Sequence, residues 1–146
     1  MKRIFPFALV LFVVSALGAA PDNWPKPGNY EINAVWLIQG QSRPAAPAQS
    51  CLNPEDLNNP ERVFNASTVR DARNCSIKNL AYTGGRISYD VDCGQLLTHV
   101  EGTYTQNGYS VIRTLGLSGK PSNASSQIKL DAKRTGECRV RVLPKL

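Results

Sequence analysis

The sequence predicts a mainly β fold: an antiparallel meander of six or seven strands, curved into a sheet or partial barrel, with short capping helices. Three observations predict it. Segments of period-two apolar alternation follow one another along the chain. Gly84-Gly85 and Asn107-Gly108 stand between pairs of them as hairpin turns. No strand–helix–strand rhythm of a parallel sheet intervenes. With 146 residues, 42% hydrophobic and 19% charged, the chain has room for one domain with a small core and is no disordered polyelectrolyte.

The first element lies outside that domain. Met1-Lys2-Arg3 is a positive opening, residues 4–14 carry no charge, and Ser15-Ala16-Leu17-Gly18-Ala19-Ala20 is a small-residue exit. This is the layout of a secretory signal peptide, and its apolar run is too short for a transmembrane helix. Cleavage after Gly18 places Ala16 and Gly18 at the two small-residue positions; cleavage after Ala20, the alternative, leaves Pro21 first. The expected organisation is a leader over 1–18 and a single domain over 19–146, with no transmembrane anchor after cleavage. No cysteine stands at the exit, so lipid attachment there is excluded.

Residues 21–28 form a proline-rich lead-in, where missing amide donors oppose a helix. Over 30–38 the chain alternates, with Tyr30, Ile32, Ala34, Trp36 and Ile38 on one face and Glu31 and Asn33 on the other, while Val35 and Leu37 make the second half apolar on both. This is a half-buried strand. Residues 39–50, with Pro44 and Pro47, read as a loop. Asn53-Pro54-Glu55-Asp56 reads as a helix start with an Asn cap, Pro at the first position and acids in the first turn, and Asn59-Pro60-Glu61 repeats it. One or two short helices, broken at Pro60, are therefore expected over 54–73.

From Cys75 onward the pattern is β. Residues 76–82 and 86–93 form a hairpin with Ile87, Tyr89, Val91 and Cys93 on its apolar face. Residues 97–106 and 109–117 form a second, joined by Asn107-Gly108, a preferred two-residue turn. That turn sets Tyr104 opposite Val111, Val100 opposite Leu115 and Gly102 opposite Arg113. Residues 127–134 form a last long strand with Ile128, Leu130 and Ala132 inward, and 139–143 an added edge strand.

The four cysteines suit two disulfides in an oxidising compartment. None forms a closely spaced pair, and His99 is the single histidine, so no zinc ligand set is present. A three-residue turn at Thr83-Gly84-Gly85 sets Cys75 opposite Cys93, Ile77 opposite Val91 and Ala81 opposite Ile87. This favours Cys75–Cys93 with Cys51–Cys138; the alternative is Cys51–Cys75 with Cys93–Cys138.

Little chemistry remains. No Gly-x-Ser-x-Gly nucleophile turn occurs, and bridged cysteines are not thiolates. His99 falls on the water-facing side of its hairpin beside Glu101. Asp90 and Asp92 share a solvent face and would hold a cation only weakly. Lys133, Arg134, Arg139, Arg141 and Lys145 suit either anionic lipid heads or a solvated edge strand. The formal net charge of +6, lowered by two when Lys2 and Arg3 leave with the leader, is weak evidence for an anionic partner, and nucleic acid is not expected. Two sequons, Asn65-Ala66-Ser67 and Asn123-Ala124-Ser125, matter only in a glycosylating host. One residue breaks the local rule: Arg113 falls on the apolar face between Val111 and Leu115, and a buried arginine needs a partner or a route to water.

Four pieces stand in order: Pro27-Gly28-Asn29-Tyr30-Glu31, Cys51-Leu52-Asn53-Pro54-Glu55-Asp56, Gly85-Arg86-Ile87-Ser88-Tyr89 leading to Cys93, and Arg134-Thr135-Gly136-Glu137-Cys138. In this the mature chain resembles a bacterial exported four-cysteine family known only as a domain of unknown function, number thirty-six seventeen. Tyr30 stands where that family usually has tryptophan, and Asn53 where it has threonine. The resemblance implies a location and an architecture, with no catalytic residues to carry over.

These readings point to a periplasmic or secreted protein without cofactor or metal, acting as a non-enzymatic binding or accessory domain. In one form, a β cup lined by some of Trp36, Tyr104, Val111 and Leu115 holds a lipid-like ligand whose anionic head meets Arg113. In the other, the inner face is fully packed, and an exposed edge or the 39–50 loop meets an envelope protein. An enzyme of unknown class would rest on His99 with Asp90 and Asp92.

Overall fold

The structure, a computed structural model, describes residues 21–64, 75–117 and 126–139. Eight strands form one antiparallel sheet: β1 (Gly28–Ile38), β2 (Gln41–Pro44), β3 (Ala48–Leu52), β4 (Ser76–Thr83), β5 (Arg86–Asp92), β6 (Leu96–Thr105), β7 (Gly108–Leu117) and β8 (Ser126–Gly136). The spatial order is β2-β1-β8-β7-β6-β5-β4, with β3 beside β2 on the same flank of β1. The sheet is mainly a meander, and it stays open: β4 forms one end and β2 with β3 the other.

The strand count exceeds the expected six or seven because 39–50 is not a loop. Gln39 and Gly40 both take positive φ, 50° and 77°, and make a two-residue turn that pairs Ile38 with Gln41. After a break at residues 45–47 the chain rejoins the same flank of β1 as β3, where Tyr30 pairs with Ser50. Pro44 and Pro47, which suggested a loop, are tolerated because this is an edge, where a missing N–H costs no ladder bond.

Both hairpin registers differ from expectation. In β4–β5 the turn is the two-residue Gly84-Gly85, pairing Thr83 with Arg86 and Tyr82 with Ile87. An irregularity between Lys78 and Ala81, where Asn79 takes a φ of 53°, then shifts the ladder so that Ile77 meets Val91. The cysteine end therefore reaches the expected register by another route. In β6–β7 the turn is Gln106-Asn107, so Tyr104 faces Tyr109, Gly102 faces Val111 and Val100 faces Arg113. Gly108 enters the ladder, where an added Cβ would lie 2.4 Å from the Ala132 carbonyl oxygen; it serves close approach of β8 rather than the turn. Each strand slips by one residue relative to expectation, and the two slips cancel in facing, so the inward side chains stay inward.

The inner face of the sheet carries Tyr30, Ile32, Ile87, Tyr89, Val91, Val100, Tyr104, Tyr109, Val111, Leu130 and Ala132, all buried. A cap lies over it. The cap begins with a 3-10 turn (Pro54–Asn58), whose Asp56 carboxylate accepts the Asn53 backbone N–H at 2.9 Å, and continues as α1 (Pro60–Phe64). The split at Pro60 is the expected one; the remainder of the 54–73 helical expectation lies outside the described residues. Phe64 packs edge-on against Trp24 and Tyr109, with ring centroids 5.2 Å apart in each case. Trp24 comes from the lead-in and donates its indole N–H to the Leu57 carbonyl at 3.1 Å. Disulfides Cys51–Cys138 and Cys75–Cys93 fasten the chain on either side of the cap. The expected 139–143 strand is not seen at Arg139, and its other residues lie outside the described ones. No described helix is long and apolar enough to cross a membrane.

Candidate functional site

Arg113 sits mid-strand on the inner face of β7, opposite Val100 on β6 and Ile128 on β8. Its surroundings are apolar, and it is only 7% exposed. Gly102 is not what accommodates it: that glycine lies opposite Val111, where a Cβ would meet the Ser110 carbonyl oxygen at 2.1 Å, so it is required by close approach of β7. The charge is answered instead from the cap. Pro60 starts α1, and the next residue, Glu61, reaches down to the sheet. Its carboxylate accepts from both guanidinium nitrogens, Nη1 to Oε1 at 2.7 Å and Nη2 to Oε2 at 3.0 Å. The Tyr89 hydroxyl donates to Oε1 at 2.7 Å.

The electrostatics follow from this geometry. Burial pulls the Arg113 guanidinium down, and the Glu61 carboxylate, with Tyr89 behind it, more than restores it, leaving it above its ordinary value. Burial, reinforced by the Glu61 charge, pushes the Tyr89 phenol well up. The result is a charge-assisted bidentate pair with a neutral phenol beside it. Both carboxylate oxygens are engaged, so the cluster ties the cap to the sheet. The sequence flagged Arg113 as needing a partner, whereas Glu61 read only as a helix-start acid.

The other cup candidates lie elsewhere. Tyr104 is 4% exposed beneath the cap, its ring 5.1 Å from Trp24 and 6.0 Å from Phe64. Trp36 shares a cross-strand row with Ile128 and Arg113 but is 39% exposed near the free end of β1, opposite Arg43 on β2. Val111 is buried, and Leu115 is half-buried. Arg113, Trp36 and Tyr104 therefore have three different environments: an internal ion pair, an open strand end and an aromatic cluster. The Tyr109 hydroxyl, buried beside that cluster, has no hydrogen-bond partner among the described residues.

On the outer face, Asp90 and His99 pair across β5 and β6, with His99 Nδ1 2.6 Å from the Asp90 carboxylate and Nε2 3.8 Å from Glu101. Both ring nitrogens face carboxylates. The Asn79 amide donates to Asp90 at 2.7 Å and, with His99, holds that carboxyl below its ordinary value. Asp92 is held low by Lys78, 2.6 Å away, and by the Gly94 backbone N–H. The two aspartates thus serve separate partners. Among the described residues, no group of three or more His, Cys, Asp and Glu side chains could hold a metal ion.

The same outer face carries a groove of about 560 Å3. Ser88 and Thr103 line it with hydroxyls, Arg86, Glu101 and Lys129 with charge, and Ile112 with an apolar surface; residues 81–83 of the end strand β4 border it. Nothing in the sequence announced this feature, because it is made by five strands whose outward side chains read one by one as ordinary surface.

The protein-family model described as "Protein of unknown function (DUF3617)" matches residues 25–138, a span that includes every described strand and both disulfides. No curated protein and no solved structure matches the chain.

Proposed function

The chain belongs to the family described as protein of unknown function DUF3617, and from its geometry we propose that it is an exported, non-enzymatic binding domain that meets a protein partner with its outer surface. The observation that carries this reading is the outer groove of about 560 Å3, bordered by β4 at the end of the sheet. There β4 exposes Leu80 (44%), and its outer row of backbone groups faces no further strand among the described residues. A partner segment laid along β4 gains main-chain hydrogen bonds, and its side chains enter the groove between Arg86 and Lys129. The inner face supports the same reading from the other side. The position that an anionic ligand head would take against Arg113 is held by Glu61, and the aromatic floor is covered by Trp24 and Phe64.

Export is supported by the sequence of the first twenty residues and by the two disulfides, which suit an oxidising compartment. A non-enzymatic role is supported by the commitment of all four cysteines to bridges, which leaves no thiolate nucleophile. Native mass spectrometry of the protein purified from its own periplasm tests the proposal. The expected result is an unliganded mass together with a co-purifying protein that is lost in Lys129→Glu, a charge reversal at the groove. A stoichiometric lipid-like mass on the wild type refutes it.

A further inference from the structure

We infer that the free end of the β1–β2 hairpin is a docking surface for a lipid bilayer carrying anionic head groups. Val35-Trp36-Leu37-Ile38 is a run of four apolar residues at the end of β1. Strand alternation places Trp36 and Ile38 on one face and Val35 and Leu37 on the other. Trp36 and Ile38 are each 39% exposed, Val35 and Leu37 are half-buried, and all of β2 is exposed. The β1 strand of this hairpin is therefore apolar on both of its faces, at a corner of the sheet where β8 pairs it as far as Leu37. A protein partner packing against a sheet covers one face; a bilayer interface into which that corner dips covers both.

Charge selects the kind of bilayer. Between Glu31 and Glu55 the chain has no carboxylate, and Arg43 is the one formal charge. Arg43 lies directly across the ladder from Trp36, and among the described residues its guanidinium reaches only the Gln41 side-chain oxygen, at 3.4 Å. A tryptophan with an apolar body and a polar N–H belongs at the level of the head groups. An arginine beside it, with no carboxylate to satisfy, extends its charge to lipid phosphate. The formal net charge, +6 for the full chain and lowered by two without Lys2 and Arg3, is of the sign that draws the exported protein to such a surface.

This surface lies at the opposite end of the sheet from β4, so it stands or falls independently of the protein partner. The test is co-sedimentation of the exported, disulfide-bonded protein with vesicles of phosphatidylcholine alone, or with about one phosphatidylglycerol in three lipids. The wild type is expected to sediment with the anionic vesicles, less so in high salt, with a blue shift in tryptophan emission that disappears in Trp36→Phe. Trp36→Ala with Ile38→Ser lowers partitioning about tenfold, as expected for withdrawing two partly exposed apolar side chains from the interface. Arg43→Gln lowers it about fivefold at low salt and not at high salt. Leu80→Ala on β4 leaves it unchanged. No sedimentation of the wild type, or equal sedimentation of the wild type and the Trp36/Ile38 variant, overturns the inference.

Discussion

Removing Glu61 should be among the most damaging single changes this domain can suffer, although the residue lies on a helix of only five residues. Its side chain and that of Arg113 are 11% and 8% exposed, and the two are joined by bonds of 2.7 and 3.0 Å. Glu61→Ala leaves a guanidinium enclosed by Val100, Val111 and Ile128 with no counter-charge, and takes the acceptor from the Tyr89 hydroxyl. Breaking a buried pair from one side typically costs about 3–5 kcal/mol. That is a large share of the roughly 5–15 kcal/mol that holds a domain folded. With a urea slope of about 2 kcal/mol per molar, the unfolding midpoint should fall by about 2 M. Tyr89→Phe, which removes one donor and leaves the ion pair, should cost only about 1 kcal/mol. The decisive comparison is the double variant Glu61→Leu with Arg113→Met. It removes both charges and keeps apolar volume, so it should recover most of the loss, since apolar replacements of buried pairs are often neutral or better. The assay is equilibrium urea unfolding followed by tryptophan emission, with Trp24 under the cap as reporter. A loss below about 1 kcal/mol in Glu61→Ala, or a double variant as unstable as the single, would show that the pair does not hold the cap.

Three further predictions concern the framework. Stability should fall at both ends of the pH scale. Asp56, Asp90 and Asp92 are held low: for Asp56 the Asn53 and Arg62 hydrogen bonds outweigh burial, Asp90 is lowered by Asn79 then His99, and Asp92 by Lys78. Their contributions are present above the ordinary carboxylate range and are lost as pH falls through the lowered values. Burial raises Tyr30, Tyr89, Tyr104 and Tyr109, so their contributions are present below about pH 10 and are lost as pH rises through the raised values; phenolate absorbance should show Tyr89 and Tyr109, the two raised furthest, titrating only with unfolding. Gly102→Ala puts a methyl group 2.1 Å from the Ser110 carbonyl oxygen and should destabilise by more than about 2 kcal/mol in urea unfolding, whereas Ser88→Ala on the neighbouring strand should be nearly silent. Replacing Cys51 and Cys138 together by serine should cost about 2–4 kcal/mol, read as a lower melting temperature, and peptide mapping of the unreduced wild type should show Cys51–Cys138 and Cys75–Cys93.

What the sequence made legible was local. Alternation placed Ile87, Tyr89, Val91, Leu130 and Ala132 on the buried face because each strand's period is set by its own residues. The capping segment announced itself through Asn53, Pro54 and Asp56, whose bonds close within three residues. What stayed hidden depended on exchanges between segments. Pro44 and Pro47 argued against strands, and only the position of β2 and β3 on an edge removes the objection. Asn107-Gly108 is a strong turn signal, yet Gly108 is needed inside the ladder, where β8 comes too close for a Cβ, and the turn moves back one residue. Trp24 looked like part of an irregular lead-in; its burial follows from Phe64 and Tyr104, brought over it by the cap and by β6.

Arg113 shows where that boundary falls for the candidate site. Its inward facing was readable from Val111 and Leu115 on the same strand, and so was the need for a partner. Whether that partner belongs to the chain or to a ligand was not readable, because Glu61 lies fifty-two positions away and its own neighbourhood explains it fully as a helix-start acid. The cup and packed-core readings therefore divide on one contact that no local pattern encodes. With Glu61 in place, the inner face becomes an internal fastening, and the surfaces proposed for binding are those the cap leaves outside: the groove beside β4 at one end of the sheet and the apolar end of β1 at the other.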